Sequence, residues 1–423
     1  MTLSARAEKN ARRTGTALIW KIIQDLWEPT SNPLGYISLG VAENLLMHDD
    51  LLAHIHGNLN ATSQALTYGD GTGGSKRLRA AVTRFLTKHL KPAEPIQSKH
   101  ITMTNGCSSA VEHLAWAIAN PGEGFLLGQP YYGTFKDDIT LRTGAKLVPV
   151  AFKGVDPLSP EAVQRYEDVL LESHAKGVKI AGLILCHPHN PLGRCYPREV
   201  IIDLMKLCEK YSIHLISDEI YALSVWSDAP PAVPFESALS IPLDGIMDPS
   251  RLHAIWGMSK DFGANGLRMG TIISQHNEEL HSALVCVSLY TSTSSLSEIA
   301  TANILNDDAW VDSYIASNRK KLAANYAVAR DWAEENGVPY AKGVNAAFFL
   351  WVNLGAVYRT KHPDREVDDI DNVVMDALLR NKVFLASGKA FGSEEPGWFR
   401  IVFSVKEDYL REGLKRVLAA LDE

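Results

Sequence analysis

Lys260 and Arg268 are residues whose types and spacing could do chemistry. Lys260 follows an apolar run at residues 252–256, which predicts a buried strand, and it stands beside the small Ser259. A lysine held out of bulk water can lose its proton and attack a carbonyl to form a Schiff base. An arginine close by can bind a phosphate through paired N–H bonds. The alternative is that Lys260 is an ordinary solvated loop lysine.

A lysine and an arginine with these abilities suggest a phosphorylated aldehyde as ligand, and therefore pyridoxal 5'-phosphate. The composition fits an enzyme of this size, because 423 residues indicate two to three domains. The net charge of −7 without a dense Lys/Arg block argues against a nucleic-acid partner. Five scattered cysteines indicate a reducing compartment and no metal site. We find neither a signal peptide nor an apolar run of membrane length, so we expect a cytoplasmic protein that does not enter a membrane.

The elements that must position the lysine alternate as strand and helix from residue 100 to 275. This alternation predicts an α/β fold with a mostly parallel sheet covered by helices on both sides. The segment after residue 301 mixes strands and helices and predicts a smaller α+β domain. In parallel sheets the ligand lies outside the carboxyl ends of the strands. The candidate residues between 104 and 260 all fall at that edge.

Four candidates follow predicted strands directly, and each has two interpretations. Ser108 opens a helix after a turn of small residues, which indicates either an anion site or a plain N-cap. Tyr132 could stack on a planar ring or cover the core. Asn190 lies between two prolines and cannot easily join a helix. Asp218 ends a buried strand and could cap the next helix or pair with a buried cation.

Three further candidates lie outside this run of strands. Glu43 could supply an N-terminal charge to a helix starting near Leu45, or face a ligand. Tyr68 opens a glycine-rich loop and could simply be a packed aromatic. Arg400 lies in an apolar alternating strand, where a carboxylate partner is expected, from the protein or from a substrate.

Several motifs together are similar to one known family, the fold-type-I pyridoxal-phosphate enzymes of the aspartate aminotransferase superfamily. The motifs are Asn-Pro-Leu-Gly at 190–193, Ser-Asp-Glu-Ile-Tyr at 217–221, Ser-Lys-Asp-Phe-Gly at 259–263 with Gly-Leu-Arg at 266–268, and Trp-Phe-Arg at 398–400. Three others resemble 1-aminocyclopropane-1-carboxylate (ACC) synthases and their fungal relatives. They are Leu-Gly-Val-Ala-Glu-Asn at 39–44, Gln-Pro-Tyr-Tyr at 129–132 and Glu-Pro-Gly-Trp-Phe-Arg at 395–400.

The resemblance implies the pyridoxal-phosphate-dependent transferase fold, with an N-terminal arm and part of the small domain at 1–50, a large cofactor domain at 51–300 and a small domain at 301–423. It implies a homodimer with shared active sites, in which Tyr68 reaches the neighbouring site. The implied catalytic residues are Lys260, Tyr68 and Glu43, and the implied substrate-binding residues are Arg400, Glu43 and Tyr68. The implied cofactor-binding residues are Cys107, Ser108, Tyr132, Asn190, Asp218, Tyr221, Ser259, Lys260 and Arg268.

Glu43 favours an ACC synthase-like lyase, because ordinary aminotransferases usually lack this residue. Such a lyase would cleave a C–S bond, either in S-adenosylmethionine to give ACC or in a cysteine S-conjugate by β-elimination. The alternatives are an amino-acid aminotransferase and a cofactor-binding homologue without activity. The sequence departs from the family at Gly257, at the loop after Tyr68, at Cys107 and at His187 and His189. These departures leave the substrate open.

Overall fold

This computed structural model describes residues 2–12, 15–227 and 232–423. The candidate residues lie at one edge of its central sheet. The strands are β1 (Ile37–Ser38), β2 (Ile101–Asn105), β3 (Gly124–Gly128), β4 (Lys146–Val150), β5 (Ile180–Cys186), β6 (His214–Asp218), β7 (Leu252–Gly257), β8 (Met269–Ile273), β9 (Phe349–Asn353), β10 (Val383–Phe384), β11 (Ala386–Ser387) and β12 (Trp398–Val402). Seven of these form one sheet in the order β2-β8-β7-β6-β5-β3-β4. β8 runs antiparallel to both neighbours and the other pairs are parallel, which confirms the mostly parallel sheet.

Helices cover this sheet and build the rest of the chain. They are α1 (Ala5–Ala11), α2 (Gly15–Ile23), α3 (His48–Asn58), α4 (Lys76–Leu90), α5 (Cys107–Ile118), α6 (Phe135–Thr140), α7 (Ala162–Ala175), α8 (Arg198–Tyr211), α9 (Met258–Asp261), α10 (Glu278–Ser288), α11 (Ser295–Asn306), α12 (Asp308–Glu335), α13 (Leu354–Lys361), α14 (Ile370–Arg380) and α15 (Glu407–Leu421). Within the described ranges, none of them combines the length and the apolar character needed to cross a membrane.

The sheet is buried on both faces, and β5 shows why. All seven of its residues are buried. Leu183 and Leu185 belong to one hydrophobic cluster, whereas Ile184 and Cys186 belong to a second cluster. Because successive side chains of a strand point to opposite faces, the two clusters lie on opposite sides of the sheet. A continuous apolar run is therefore the pattern that this strand requires.

A smaller unit packs beside the sheet and contains Arg400. Its three strands run in the order β11-β12-β9 with antiparallel pairing, and α13, α14 and α15 pack with them. The short strand β1, near the N-terminus, pairs in parallel with β10, so residues 37–38 lie beside residues 383–384. The domain bounds 1–50, 51–300 and 301–423 stay a prediction.

The observed elements differ from the sequence-based expectations mainly at their ends. Apolar residues spaced for one face between positions 17 and 27 predict one amphipathic helix within residues 1–35, but the structure has two short helices, α1 and α2, with residues 13 and 14 outside the described ranges. A helix expected near Leu45 begins at His48 instead. The apolar run at 346–352 predicts a strand, which begins only at Phe349. Apolar periodicity locates an element, but the competing turn contacts at its ends decide where it stops.

Candidate active site

The predicted site residues gather at the carboxyl edge of the parallel strands. Lys260 follows the end of β7 on the single turn of α9, and Asp218 is the last residue of β6. Asn190 comes four residues after the end of β5, and Tyr132 four residues after the end of β3. Adjacent parallel strands therefore deliver four side chains of different chemistry to one edge.

Lys260 is half-buried, and its ammonium group has a backbone partner. Its Nζ donates a hydrogen bond of 2.6 Å to the carbonyl oxygen of Ala42. Burial lowers the pKa of Lys260 to about 8, helped by the positive charge of Arg400 and opposed by the negative charge of Glu43. A lowered pKa increases the fraction of neutral amine near neutral pH. Lys260 is therefore not the solvated loop lysine of the alternative interpretation.

Asp218 is a buried carboxyl with little compensation from the protein. It is 5% exposed, and the backbone N–H of Ile220 donates to its Oδ1 at 3.3 Å. Burial raises its pKa to about 7, against the opposing effects of this hydrogen bond and of the Lys260 charge. No lysine or arginine of the described ranges forms an ion pair with it. A buried carboxyl of this kind is suited to a cationic group supplied by a ligand.

Tyr221 and Asn190 face this region from two neighbouring loops. The ring of Tyr221 meets Phe348 and Phe349 edge-on, with centroid distances of 5.4 and 5.3 Å. Burial raises the pKa of its hydroxyl well above the ordinary value. Both aromatic neighbours fix the ring plane, so the hydroxyl is a rigidly placed hydrogen-bond donor.

His187 and His189 support the Asn190 loop from inside. His187 Nδ1 accepts a hydrogen bond of 3.2 Å from the backbone N–H of Tyr196, and its Nε2 donates at 3.0 Å to the carbonyl oxygen of Glu236. His189 Nδ1 lies 3.4 Å from the backbone nitrogen of Leu192. Burial lowers the pKa of each histidine to about 3, so both rings are neutral. Their role in the structure is to hold a turn.

The guanidinium of Arg268 lies at the uncapped N-terminus of α5. The N-cap is Gly106, with φ of 79°, and no side chain caps the helix. A Cβ built on Gly106 would lie 2.1 Å from Nη2 of Arg268, so the guanidinium lies directly against the open helix end. Free N–H groups, the helix dipole and a guanidinium favour a phosphate. The plain N-cap interpretation of Ser108 is therefore excluded, because no side chain serves as the cap.

The remaining predicted phosphate residues line the same place. Cys107 is the first residue of α5, and burial raises the pKa of its thiol well above the ordinary value. Ser108 is exposed, whereas Ser259 is 7% exposed. A Cβ on Gly257 would lie 2.9 Å from Sγ of Cys107 and 2.5 Å from the carbonyl oxygen of Met269. The departures from the family at Cys107 and at Gly257 are therefore linked, since the Cys107 thiol fills the space next to Gly257.

Tyr132 lies over the edge of the sheet and is half-buried. Its ring meets Phe135 edge-on at 5.5 Å. Burial raises the pKa of its hydroxyl, and the charges of Arg400 and Asp218 act on it from two sides. The Tyr132 ring therefore lies near both Arg400 and Asp218, and it packs against Phe135 of the core. This position fits stacking on a planar ligand and core packing together.

Arg400 is buried without a carboxylate among the described residues. It is 3% exposed, its Nη1 donates at 2.9 Å to Oδ1 of Asn190, and its Nη2 donates at 2.8 Å to the carbonyl oxygen of Gly40. Its guanidinium carbon lies 4.4 Å from the ring centre of Phe349 and 4.8 Å from that of Phe391. Its Nε is buried and lacks a hydrogen-bond partner. A buried guanidinium with an unsatisfied N–H is suited to a carboxylate brought by a ligand.

Glu43 and Tyr68 are both exposed in the single chain. Glu43 comes next after Ala42, the partner of Lys260, and Ser404 Oγ donates to its carbonyl oxygen at 2.7 Å. The helix-charge interpretation of Glu43 is wrong, because α3 starts at His48 and its first turn carries other acids. Tyr68 is fully exposed, so it is no packed aromatic. It lines a cavity of about 630 Å³ that includes Glu298 and none of the predicted cofactor residues.

Two residues near the site were missed from the sequence. Asp261 accepts hydrogen bonds from Ser224 Oγ at 2.7 Å, Trp256 Nε1 at 3.0 Å and Leu223 N at 3.1 Å. Its position directly after the candidate lysine is a signal that could have drawn attention. Asn318 lies on α12, far along the chain, and no local pattern distinguishes it.

The donors present fit pyridoxal 5'-phosphate. The uncapped start of α5 with Arg268 suits a phosphate. The buried Asp218 suits a pyridinium nitrogen, and the lysine with a lowered pKa suits an aldehyde. Residues 35–417 match the family model described as "Aminotransferase class I and II".

Relatives and solved structures agree with this match. The chain is 33% identical over 405 residues to 1-aminocyclopropane-1-carboxylate synthase-like protein 1 of Mus musculus, covering 94% of this chain and 78% of that protein. It is 30% identical over 430 residues to probable aminotransferase sirI of Leptosphaeria maculans, covering 100% and 98%. The structure superposes on aspartate aminotransferase from Thermus thermophilus with a TM-score of 0.79 and 19% identity, covering 99% and 100%. The chain therefore belongs to the class I and II aminotransferase family, in the ACC synthase-like subgroup of fold-type-I pyridoxal-phosphate enzymes.

Proposed function

We propose that this protein is a pyridoxal-phosphate-dependent lyase that cleaves a C–S bond in a sulfur-containing amino acid. The observation that supports the proposal is the hydrogen bond from Lys260 Nζ to the carbonyl oxygen of Ala42, because Glu43 is the next residue along the chain. The charge of Glu43 also acts on the pKa of Lys260. An acid at this place is available to the side chain of a bound substrate.

The cofactor supplies an electron sink that stabilises negative charge on the substrate Cα. Lys260 would hold the aldehyde of the cofactor and would take the proton from Cα, which its lowered pKa favours. Asp218 would keep the pyridinium nitrogen protonated. Tyr221 and Asn190 would donate hydrogen bonds to the phenolic oxygen, and Tyr132 would stack on the ring.

Phosphate and carboxylate would be held at two separate places. The start of α5 at Cys107 and Ser108, together with Ser259 and Arg268, would hold the phosphate group. Arg400 would bind the substrate α-carboxylate with the N–H groups not used by Asn190 and Gly40. Because the phosphate and the α-carboxylate would both be fixed, the substrate would be oriented with its Cα–H bond toward Lys260.

Two C–S cleavages satisfy this arrangement. S-Adenosylmethionine would lose methylthioadenosine, the electron pair from Cα closing the ring of ACC. A cysteine S-conjugate would lose a thiolate from Cβ, and water would then release pyruvate and ammonia. Both reactions remove the Cα proton and send the C–S electron pair out on sulfur, so they differ only in which carbon carries the sulfur.

The second candidate is an amino-acid aminotransferase, in which Lys260 returns the proton to the cofactor and a keto acid leaves. The relative named probable aminotransferase sirI supports this alternative over the full length of the chain. We also propose a cytoplasmic homodimer with shared active sites. The full exposure of Tyr68 supports it, since its side chain is free to enter a neighbouring site.

A product assay with purified protein and pyridoxal phosphate tests the proposal. S-Adenosylmethionine, cysteine S-conjugates and an amino acid with a keto acid are offered in parallel. We expect ACC with methylthioadenosine, or else pyruvate, ammonia and thiol, and we expect Glu43→Gln to reduce either product set. Glu366→Gln, at an exposed position, is the control. Amino-group exchange alone, unaffected by Glu43→Gln, would establish the aminotransferase.

A further inference from the structure

The segment that carries Glu43 lies in direct contact with the turn that carries Lys260. A Cβ built on Gly263 would lie 2.2 Å from the carbonyl oxygen of Asn44, and Gly263 has φ of 63°. Only glycine permits both this approach and this backbone conformation without strain. The carbonyl oxygen of Ala42 accepts the hydrogen bond from Lys260, two residues earlier in the same segment. The relative placement of the two segments therefore sets the distance between Glu43 and Lys260.

Two buried amides connect these segments through α12. Asn44 and Asn318 are each 1% exposed, and Asn44 Nδ2 donates to Oδ1 of Asn318 at 2.9 Å. Asn318 Nδ2 donates in turn to the carbonyl oxygen of Asp261 at 3.4 Å. Asn44 Oδ1 accepts from the backbone N–H of Leu46 at 3.3 Å. The chain of hydrogen bonds runs from the Glu43 segment through the helix to the lysine turn.

The same stretch of α12 donates two further hydrogen bonds near the site, one to the lysine turn and one to the loop after Tyr221. Tyr314 donates from its hydroxyl to the carbonyl oxygen of Phe262 at 2.8 Å. Arg319 Nε donates to the carbonyl oxygen of Leu223 at 2.8 Å, two residues beyond Tyr221. α12 thereby holds the lysine turn through Tyr314 and Asn318, and Asn318 also accepts the hydrogen bond from Asn44. Loss of Asn318 would remove this link between the two segments, while Tyr314 still holds the lysine turn and the Glu43 and Leu46 carbonyls keep their bonds from Ser404 and Lys321.

We propose that Asn318, acting with Asn44, is a positioning residue that holds Glu43 against Lys260 and thereby directs the deprotonated substrate toward loss of its sulfur group. The consequence for the products rests on the proposed function, whereas the positional claim does not. In the elimination, the Cα proton goes to Lys260 and the C–S electron pair leaves on sulfur. In the competing transfer, Lys260 would pass that proton on while the C–S bond stays intact, water would release the substrate as a keto acid, and the amino group would go to a second keto acid.

The first test measures Lys260 itself, without cofactor. Cofactor-free protein is treated with formaldehyde and cyanoborohydride over a range of pH, and methylation of the Lys260 peptide is followed by mass. The charged and titratable groups that face this lysine are Arg400, Glu43, Cys107, Arg268 and Asp218. Because a carboxylate raises the pKa of a nearby ammonium, Glu43→Gln should move the labelling midpoint to lower pH.

Asn318→Leu should move the midpoint in the same direction and should have no further effect in a Glu43→Gln background, because it acts through Glu43. Asn44→Ala serves as the second variant if Asn318→Leu does not fold. Asn277→Ala, which removes the cap of α10 away from the site, is the control for general destabilisation and should leave the midpoint unchanged. A shift that persists in full in the Glu43→Gln background, or no shift at all, overturns the proposal.

The second test reads the products of the cofactor-loaded enzyme. Asn318→Leu should lower the ratio of elimination to amino transfer several-fold, and Asn277→Ala should keep the wild-type ratio. If the wild-type enzyme only transfers amino groups, the proposed function fails while the labelling experiment still decides the positional claim. If elimination dominates and Asn318→Leu leaves the ratio unchanged, the inferred role in directing the reaction is wrong.

Discussion

The side-chain oxygen of Asn190 accepts a hydrogen bond of 2.9 Å from Nη1 of Arg400, although 210 residues separate them. This contact joins the loop after β5 of the central sheet to β12 of the smaller sheet. It also fixes the orientation of the Asn190 side-chain amide. Oδ1 faces the guanidinium, so Nδ2 remains available as a hydrogen-bond donor. In the proposed function, this one amide would both orient Arg400 toward the substrate and offer a hydrogen bond to the cofactor.

Arg400→Lys should weaken the enzyme mainly through the binding of the substrate carboxylate. Lysine cannot make the forked contact, and it leaves Asn190 Oδ1 and the carbonyl oxygen of Gly40 without their donors. We expect a loss of about 2–5 kcal/mol, roughly 30-fold to several thousand-fold in kcat/KM. The split between KM and kcat is measured with substrate and with its α-amide, which lacks the carboxylate.

Arg411→Lys is the matched control, because Arg411 pairs with Glu407 on the exposed face of α15. It should change neither constant. The assignment of Arg400 would be contradicted if the variant lost activity equally on the acid and on the amide.

Gly106→Ala should remove the preference for a phosphorylated ligand. The new Cβ would displace Nη2 of Arg268, and φ of 79° is strained for alanine. We expect the affinity for pyridoxal phosphate to fall by about 10- to 100-fold, as loss of a charged hydrogen bond implies. The affinity for pyridoxal, which lacks the phosphate, should change little. Both affinities are measured by equilibrium absorbance titration.

Gly122→Ala provides a control for the backbone strain alone. Gly122 has a similar φ of 91°, and nothing lies within 4 Å of the position that a Cβ would take there. This variant should bind both ligands as the wild type does. An equal loss of pyridoxal and pyridoxal phosphate in Gly106→Ala would place the phosphate elsewhere.

The gathering of Tyr132, Asn190, Asp218 and Lys260 at one edge of the sheet could be predicted from the sequence because each of them follows a strand. Asp218 and Lys260 come directly after apolar runs, and parallel strands bring such positions to one edge whatever the lengths of the connecting helices. The mostly parallel sheet was predictable for the same reason. β5 reads as a continuous apolar run because both of its faces are buried.

The contacts between distant segments could not be predicted in this way. Asn318 lies in a helix of 28 residues whose pattern gives no sign that one amide bonds Asn44, 274 residues earlier. Arg400 was expected to have a carboxylate partner from the protein or from a substrate, and among the described residues two neutral oxygens and two aromatic rings surround it, with no carboxylate. Such pairings depend on how the two sheets pack together, which no local periodicity encodes.

His187→Asn should destabilise the protein at neutral pH and less so in acid. The wild-type ring bonds Tyr196 N and Glu236 O, and losing these contacts should cost about 1–3 kcal/mol of unfolding free energy. Burial lowers the pKa of His187 from 6.5 to about 3. Its contribution is therefore complete above pH 6.5 and is lost toward pH 3, by about 1.4 kcal/mol per pH unit.

Denaturant unfolding of wild type and variant between about pH 8 and pH 5 measures this difference. His56→Asn, at an exposed position of α3, should show no difference at any pH. A gap between wild type and His187→Asn that stays constant with pH would mean that folding does not change the pKa of His187, contrary to this prediction.

Capture of pyridoxal phosphate by the cofactor-free protein should accelerate with pH and level off above about pH 8. Only the neutral amine of Lys260 attacks the aldehyde, and burial lowers the pKa of this group to about 8. Below that pH the rate constant should therefore fall about tenfold per pH unit. Stopped-flow absorbance in the visible region measures the rate, and Lys260→Arg should abolish the visible signal. An increase that continues to about pH 10, as for a solvated lysine, would contradict the assignment of Lys260, because the neutral fraction of a buried amine is already complete there.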